Sequence, residues 1–382
     1  MQKEPIELLL GAGVSVGAGL PSTREITSAI LKGRWCPQFA EKASTCRDND
    51  TLVAFLNILN TRLVRTKREC AEGSANYEEL YYLIRVVRDH LGGQMVNAAV
   101  DPFCRQVWRS LKKKRGRNGD YARGREDLFG WATDLLKGIE LTVQHLVSQK
   151  PNNWKSFQFI KQAAEAKLPV SLDIFTLCHD VALETFLNKE GIPFNDGFLS
   201  RETIVSRFDN QAQARRWSLE KATALTQDPV RLIKLHGSVD WFSHFPDNLW
   251  FKVLTGHVDT GLPRDLERCP ILVGTFNKYV DYSRSIFRDA QCAFTMRLAK
   301  VNRVVVCGYS FGDQAINYAL VEWMNGDHSR RLIVAHGEPQ QLLGGARSIL
   351  RQLWDDWSKQ GRLIVLTKWA QDLSWDEIRG CL

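Results

Sequence analysis

Several things are missing from this 382-residue chain, and each absence removes a class of protein. No two cysteines stand in a CxxC pair; the nine are scattered at positions 36, 46, 70, 104, 178, 269, 292, 307 and 381. An odd, dispersed set argues for free thiols in a reducing compartment, against a zinc ribbon and against a disulfide framework. No apolar run approaches the roughly 18 residues that span a bilayer, and the LLL near the start is too short for a secretory core, so a cytoplasmic protein with no membrane partner is expected. There is no internal repeat, no low-complexity tract beyond one basic segment, and no paired-carboxylate or histidine-rich constellation of the kind a metal nuclease needs.

What is present is globular: 44% hydrophobic and 25% charged residues, enough to bury a sizeable core. The net charge of +8 is uneven, because Arg109 to Arg125 (RSLKKKRGRNGDYARGR) holds eight basic residues against one acidic residue. Read as a charge run, it is a solvated, mobile loop; read functionally, it is a contact for nucleic acid or an acidic partner. Tyr121 is its single aromatic, so no stacking platform for single strands is evident.

Ile6 to Leu10 is a short apolar run entering a glycine-rich turn, then a helical segment from Pro21 to Leu31. Between about 50 and 170 the period is helical. Leu52, Phe55, Leu56, Leu59 and Leu63 share a face, as do Leu80, Ile84, Val87 and Leu91, with Asn76 and Glu79 spaced as a capping box and Gly92-Gly93 as the stop. Strand-like runs then return as VSLDIFTL, VRLIKL, ILVG, RVVVCG, RLIVA and RLIVL. The alternation predicts an α/β fold: a doubly wound, mainly parallel, Rossmann-like sheet, with a core of about 1–35 and 168–382 and a mostly helical insertion at 36–167.

Three stretches carry candidate chemistry. In LLLGAGVSVGAGLPSTR (Leu8 to Arg24), glycines 11, 13, 17 and 19 let backbone amides approach a pyrophosphate, although a bare strand-to-helix turn would use them too. In IKLHGSVDW, His236 stands past a strand end, either as a structural histidine or as a general base. In VVVCGYSFGDQAIN, Gly308, Ser310 and Gly312 form a second turn able to receive phosphate or ribose. A fourth stretch, DIFTLCHDVALETFL, sets Cys178, His179 and Asp180 side by side. If its strand continued, Cys178 and His179 would face apart and could not form a nucleophile–base pair, while Cys178 and Asp180 would share a face.

Together these blocks resemble the sirtuin-like NAD-binding family: GAGVSVGAGLPSTR its glycine loop, FTLCHD its Thr-x-Asn-x-Asp strand end, LHGSVDW its His-Gly segment and CGYSFGDQAIN its GxS segment. Within the family the chain most resembles bacterial sirtuin-like antiviral proteins that cleave NAD to nicotinamide and ADP-ribose, some of them assembled with a HerA-type ATPase. The resemblance implies NAD as substrate. It also implies a loop of Gly11, Ala12, Gly13, Ser15 and Gly19 at the pyrophosphate, Arg24 at the motif's arginine, and Gly308, Ser310 and Asn317 towards ribose and adenine. His236 would be the base and Asp180 would hold the strand end.

The chain departs from the family pattern in three ways. It lacks the four-cysteine zinc module of deacylating members, it has Ser22-Thr23 where the loop usually has Asp-Phe, and it puts Cys178 at the catalytic asparagine. The resemblance therefore leaves a non-catalytic NAD- or ADP-ribose-binding scaffold open beside an NAD hydrolase, with self-association and a nucleic-acid-binding subunit as further expectations.

Overall fold

The computed structural model describes residues 6–46, 49–69, 75–115, 121–166, 172–205, 211–224, 226–244, 249–253, 266–268, 271–346 and 348–382. In chain order, β1 (Ile6–Leu10) leads through α1 (Gly13–Gly17) to six helices: α2 (Thr23–Leu31), α3 (Pro37–Cys46), α4 (Asn49–Glu69), α5 (Tyr77–Leu91), α6 (Val100–Arg115) and α7 (Tyr121–Val147). The strands that follow are β2 (Leu172–Thr176), β3 (Phe194–Asn195), β4 (Phe198–Val205), β5 (Gln211–Trp217), β6 (Val230–Lys234), β7 (Trp241–His244), β8 (Leu249–Val253), β9 (Leu266–Arg268), β10 (Arg303–Cys307), β11 (Arg331–Ala335) and β12 (Leu363–Leu366). Between and around them lie α8 (Gln158–Glu165), α9 (Ala182–Lys189), α10 (Leu219–Thr223), α11 (Lys278–Asp281), α12 (Ser285–Leu298), α13 (Gln314–Gly326), α14 (Pro339–Gly345) and α15 (Ser348–Lys359).

The chain divides into two compact units. The first comprises Met1–Leu20, Val147–Leu272 and Lys278–Leu382. It holds a seven-stranded sheet in the order β12-β11-β10-β1-β2-β6-β3, every pairing parallel. Its strands are short apolar runs buried on both faces, as a parallel sheet covered by helices requires. β1 sits at the topological switch: the chain leaves it for β2 on one side and later returns to β10 on the other, and ligand crevices of doubly wound folds lie at the carboxyl ends of such strands.

Two sequence expectations need correction in this unit. ILVG (Ile271 to Gly274) is not a strand; Leu272 runs in irregular chain whose N–H donates to His236 O at 2.9 Å. Three apolar residues precede Gly274, whose φ of +115° bends the chain out of extended conformation there. The second is an omission, a five-stranded antiparallel sheet β4-β5-β8-β7-β9. Its first two strands, FLSRETIV and QAQARRW, each carry an adjacent pair of charged residues that interrupts the apolar pattern. Arg215 on β5 explains part of this, since it forks onto Asp196 at 2.9 and 2.8 Å and so belongs to the packing of its sheet.

The second unit, Pro21–Leu146 with Val273–Asn277, is helical. Leu52, Phe55, Leu56 and Leu59 are buried on α4 and Leu80, Ile84 and Val87 on α5, with Leu63 and Leu91 half-buried at the ends of those stripes. The capping box forms as spaced: Asn76 accepts from Glu79 N, Glu79 accepts from Asn76 N, and Gly92 caps the far end of α5. The basic segment differs from the expected loop. Residues through Arg115 continue α6 and those from Tyr121 begin α7, with 116–120 outside the described residues. Tyr121 is already covered by Arg105, whose guanidinium lies 4.6 Å from the ring centroid. No helix among the described residues is long and apolar enough to cross a membrane.

Candidate functional site

Four neighbouring strands of the parallel sheet end together: Leu10 pairs with both Thr176 and Cys307, and Thr176 with Lys234. The segments just past those ends therefore converge, and they contain most of the candidate residues.

The two glycine turns touch each other. Gly11 N donates to Cys307 O at 3.0 Å and Gly13 N to Gly308 O at 2.8 Å. A Cβ on Gly11 would lie 2.5 Å from Gly308 O, and one on Gly13 2.7 Å from Gly308 Cα, while Gly308 itself has a φ of +66°. These glycines are thus demanded by turn-on-turn packing, whatever binds there. Ala12, Gly13, Gly19 and Ser310 are exposed around the paired turns, Gly308 is half-buried, and Gly11 and Ser15 are buried. Asn317 is fully buried, with Tyr309 OH donating to its Oδ1 and its Nδ2 donating to Phe311 O, both at 2.8 Å. It is a brace beneath the second turn, where it holds Phe311 at a φ of +54°. Arg24 is exposed on α2 and belongs to the helical unit.

At the end of β2 the strand stops at Thr176, so the alternation expected of residues 178–180 does not apply. Buried Lys234 bends the chain there: its Nζ donates to Cys178 O at 3.1 Å and to Asp180 O, and pairs with Glu184 at 3.2 Å. Burial would lower the Lys234 pKa, but Glu184, Asp180 and Asp240 outweigh it and hold the ammonium charged. Asp180 Oδ1 accepts from Ala182 N at 2.9 Å and so starts α9. Cys178 is buried, and burial with the nearby Asp180 charge pushes its thiol up to about 12 against hydrogen bonds with Ser15 and Thr176. At neutral pH it is a thiol, not a nucleophilic thiolate. His179 is neutral: burial, then the charges of His236, Lys278 and Lys234, push its pKa well below the ordinary value.

His236, past the end of β6, is the most organised of the candidates. Asp313 Oδ2 accepts from His236 Nε2 at 3.0 Å and from the Tyr282 hydroxyl at 2.9 Å, and Tyr282 Oη lies 2.6 Å from the same ring nitrogen. All three are buried. Burial alone would raise the Asp313 pKa, but the hydrogen bond from His236, the Lys278 charge and the Tyr282 hydroxyl overcome it and hold the carboxyl far below its usual range. A carboxylate only accepts, so Nε2 carries the proton that faces it, and Nδ1 is the nitrogen that gains or loses the ring's second proton. Asp313 is fixed in turn as the N-cap of α13, accepting from Ala315 N and Ile316 N.

Of the candidates, the structure brings together Gly11, Gly13, Gly308, Ser15 and Cys178 around β1, and places His236 and Asp180 on the neighbouring ends. Sequence reading missed Tyr282 and Asp313, which lie 46 and 77 residues from His236. Asp313 carried one signal, an aspartate directly before a helical run. Among the described residues no group of three or more His, Cys, Asp or Glu could hold a metal ion.

This arrangement is a doubly wound α/β sheet with a buried histidine–aspartate pair past the carboxyl ends of its strands. Residues 173–358 match a family model described as a SIR2-like domain, a span from β2 to α15 that includes His236 and Asp313 and leaves out the first glycine turn. No curated protein matches the chain. A solved structure described as a Sir2 homolog–NAD complex aligns with 100% of this chain and 90% of its own, at 12% identity and a TM-score of 0.41.

Proposed function

We propose that the chain binds NAD at the paired Gly11 and Gly308 turns and hydrolyses it to nicotinamide and ADP-ribose. The buried His236–Asp313 pair carries this reading, because it sits at a strand end beside the switch, inside the segment that matches the SIR2-like domain. In the proposed step the ribose–nitrogen bond breaks, nicotinamide leaves with the bonding electrons, and water adds to the ribose carbon. His236 Nδ1 takes the water proton, while Asp313 keeps the ring in that tautomer and steadies the imidazolium that forms. Tyr282 supports the same carboxylate.

Cys178 favours a second reading, a subunit that binds NAD or ADP-ribose without turnover. A buried neutral thiol bonded to Ser15 offers a water or ribose hydroxyl far weaker hydrogen bonding than the asparagine amide of the family pattern. Chromatography of NAD incubated with the purified protein separates the two. Nicotinamide released by the wild type and not by His236→Ala supports hydrolysis; ADP-ribose binding without nicotinamide supports the scaffold; neither binding nor release removes the NAD assignment. A role as an antiviral effector in the cytoplasm, a homo-oligomer, a HerA-type ATPase partner and nucleic-acid contact at Arg109 to Arg125 belong to the same proposal. They are checked by light scattering, co-purification and salt-dependent binding.

A further inference from the structure

His179 is buried at 8% relative exposure, and its Nδ1 is without a hydrogen-bond partner. The residue is not loosely placed. Its carbonyl accepts from Val239 N at 3.0 Å and from Ser238 Oγ at 3.4 Å, which ties it to the end of β6. Its ring centroid lies 5.9 Å from that of His236, with the planes 33° apart. The two histidines therefore share one edge of the sheet with opposite arrangements: His236 is engaged by Asp313 and Tyr282, whereas His179 presents an unfilled ring nitrogen. A buried polar atom left unpaired costs free energy until something occupies it.

We propose that His179 is a ligand-positioning residue whose Nδ1 accepts a hydrogen bond from a hydroxyl of the ribose next to His236. The inference rests on the NAD reading and extends it. A neutral imidazole carries one N–H and one bare nitrogen, and a partnerless Nδ1 in the bare form suits a hydroxyl donor. Cys178, one residue earlier, is a buried thiol and a far weaker acceptor than an imidazole nitrogen. The N–H of the nicotinamide carboxamide is the other kind of donor in the same half of NAD, and the ligands below distinguish it.

The test pairs calorimetry with long-range proton–nitrogen spectra of histidine-labelled protein, using NAD, ADP-ribose and AMP. The expected result is an upfield shift of His179 Nδ1 with NAD and ADP-ribose alike, and none with AMP. His179→Phe, which keeps the ring volume, should weaken ADP-ribose binding about tenfold and leave AMP unchanged, and His179→Gln should recover part of the loss. A shift with NAD alone would assign the nitrogen to the carboxamide and overturn the ribose contact. An unmoved Nδ1, with ADP-ribose binding equal in wild type and His179→Phe, overturns the proposal and leaves NAD binding intact. A wild type that binds neither NAD nor ADP-ribose overturns both.

Discussion

The same strands bury charge at both ends, and they do so in different ways. In the amino half of the sheet, Glu7, Asp173 and Arg231 sit side by side in register on β1, β2 and β6, all fully buried. Asp173 takes Arg231 at 3.3 Å and, from α12, Arg297 at 2.7 and 2.5 Å. This cluster is closed in the sense that its ion pairs lie within the core, with Asp173 and Arg231 fully buried. At the carboxyl edge, Cys178, His179, His236 and Asp313 are nearly as buried, yet they stand where four strands give way to turns. Burial alone therefore does not single out a site. What separates the two ends is whether the polar groups converge on loops that a ligand could reach.

The comparison predicts a double dissociation. Asp173→Ala leaves two buried guanidiniums without their carboxylate and should cost about 3–5 kcal/mol in urea unfolding. His236→Ala should cost less stability, about 1–2 kcal/mol for the hydrogen bonds lost, but lower nicotinamide release a hundredfold or more. Equal stability losses in the two variants would erase the distinction between a closed cluster and a site.

Gly13→Ala comes next in size. Its Cβ would press on the Gly308 backbone at 2.7 Å, so either turn must shift, at an expected cost of about 1–3 kcal/mol in thermal or urea unfolding. Loss of NAD binding in that variant would report the paired turns as much as any phosphate contact. An unchanged unfolding midpoint would show that the turns do not pack as described.

Glu7 sharpens the comparison through pH. Burial first, then the Asp173 charge, raise its carboxyl pKa well above the ordinary value, against a smaller pull from Arg297. A carboxyl whose pKa is higher folded than unfolded keeps its proton in the native state. Its stabilising contribution is fully present below the unfolded pKa and is lost as pH rises through the folded one, at up to about 1.4 kcal/mol per pH unit. Glu7→Gln should flatten the fall in stability above about pH 4. Parallel stability–pH curves for wild type and Glu7→Gln would place a charged Glu7 in the core.

Much of the parallel sheet was readable from the chain, because strands buried on both faces must be apolar runs and RVVVC or RLIVA can hardly be anything else. The helix cap at Asn76 was readable for a similar reason, being local chemistry at fixed spacing. Unreadable features depended on partners distant in sequence. Arg215 looks like a surface charge until Asp196 is folded against it, and His236 looks like a lone histidine until Tyr282 and Asp313 arrive. The glycine turns were found, but half of their purpose, packing on each other, appears only when β1 and β10 are adjacent.

Cys178 gives the smallest and most discriminating prediction. It lies where the two descriptions of this edge meet, in the same buried cluster as Leu10, Val14 and Cys307 yet just past the end of β2 beside the first glycine turn. If the family resemblance holds at this position, Cys178→Asn restores an amide beside His236 and should raise nicotinamide release about tenfold, at the lower end of what a positioned hydrogen-bond donor contributes to a transition state. Adding His236→Ala should abolish the gain, since the amide orients a water that still needs a base. A thiol used only for packing predicts otherwise: stability falls by about 1–3 kcal/mol as a polar amide enters the core, and turnover does not move. Nicotinamide release at saturating NAD, read beside the unfolding midpoint of the same samples, distinguishes them. A lowered midpoint with unchanged turnover would assign Cys178 to the core and end its part in the site.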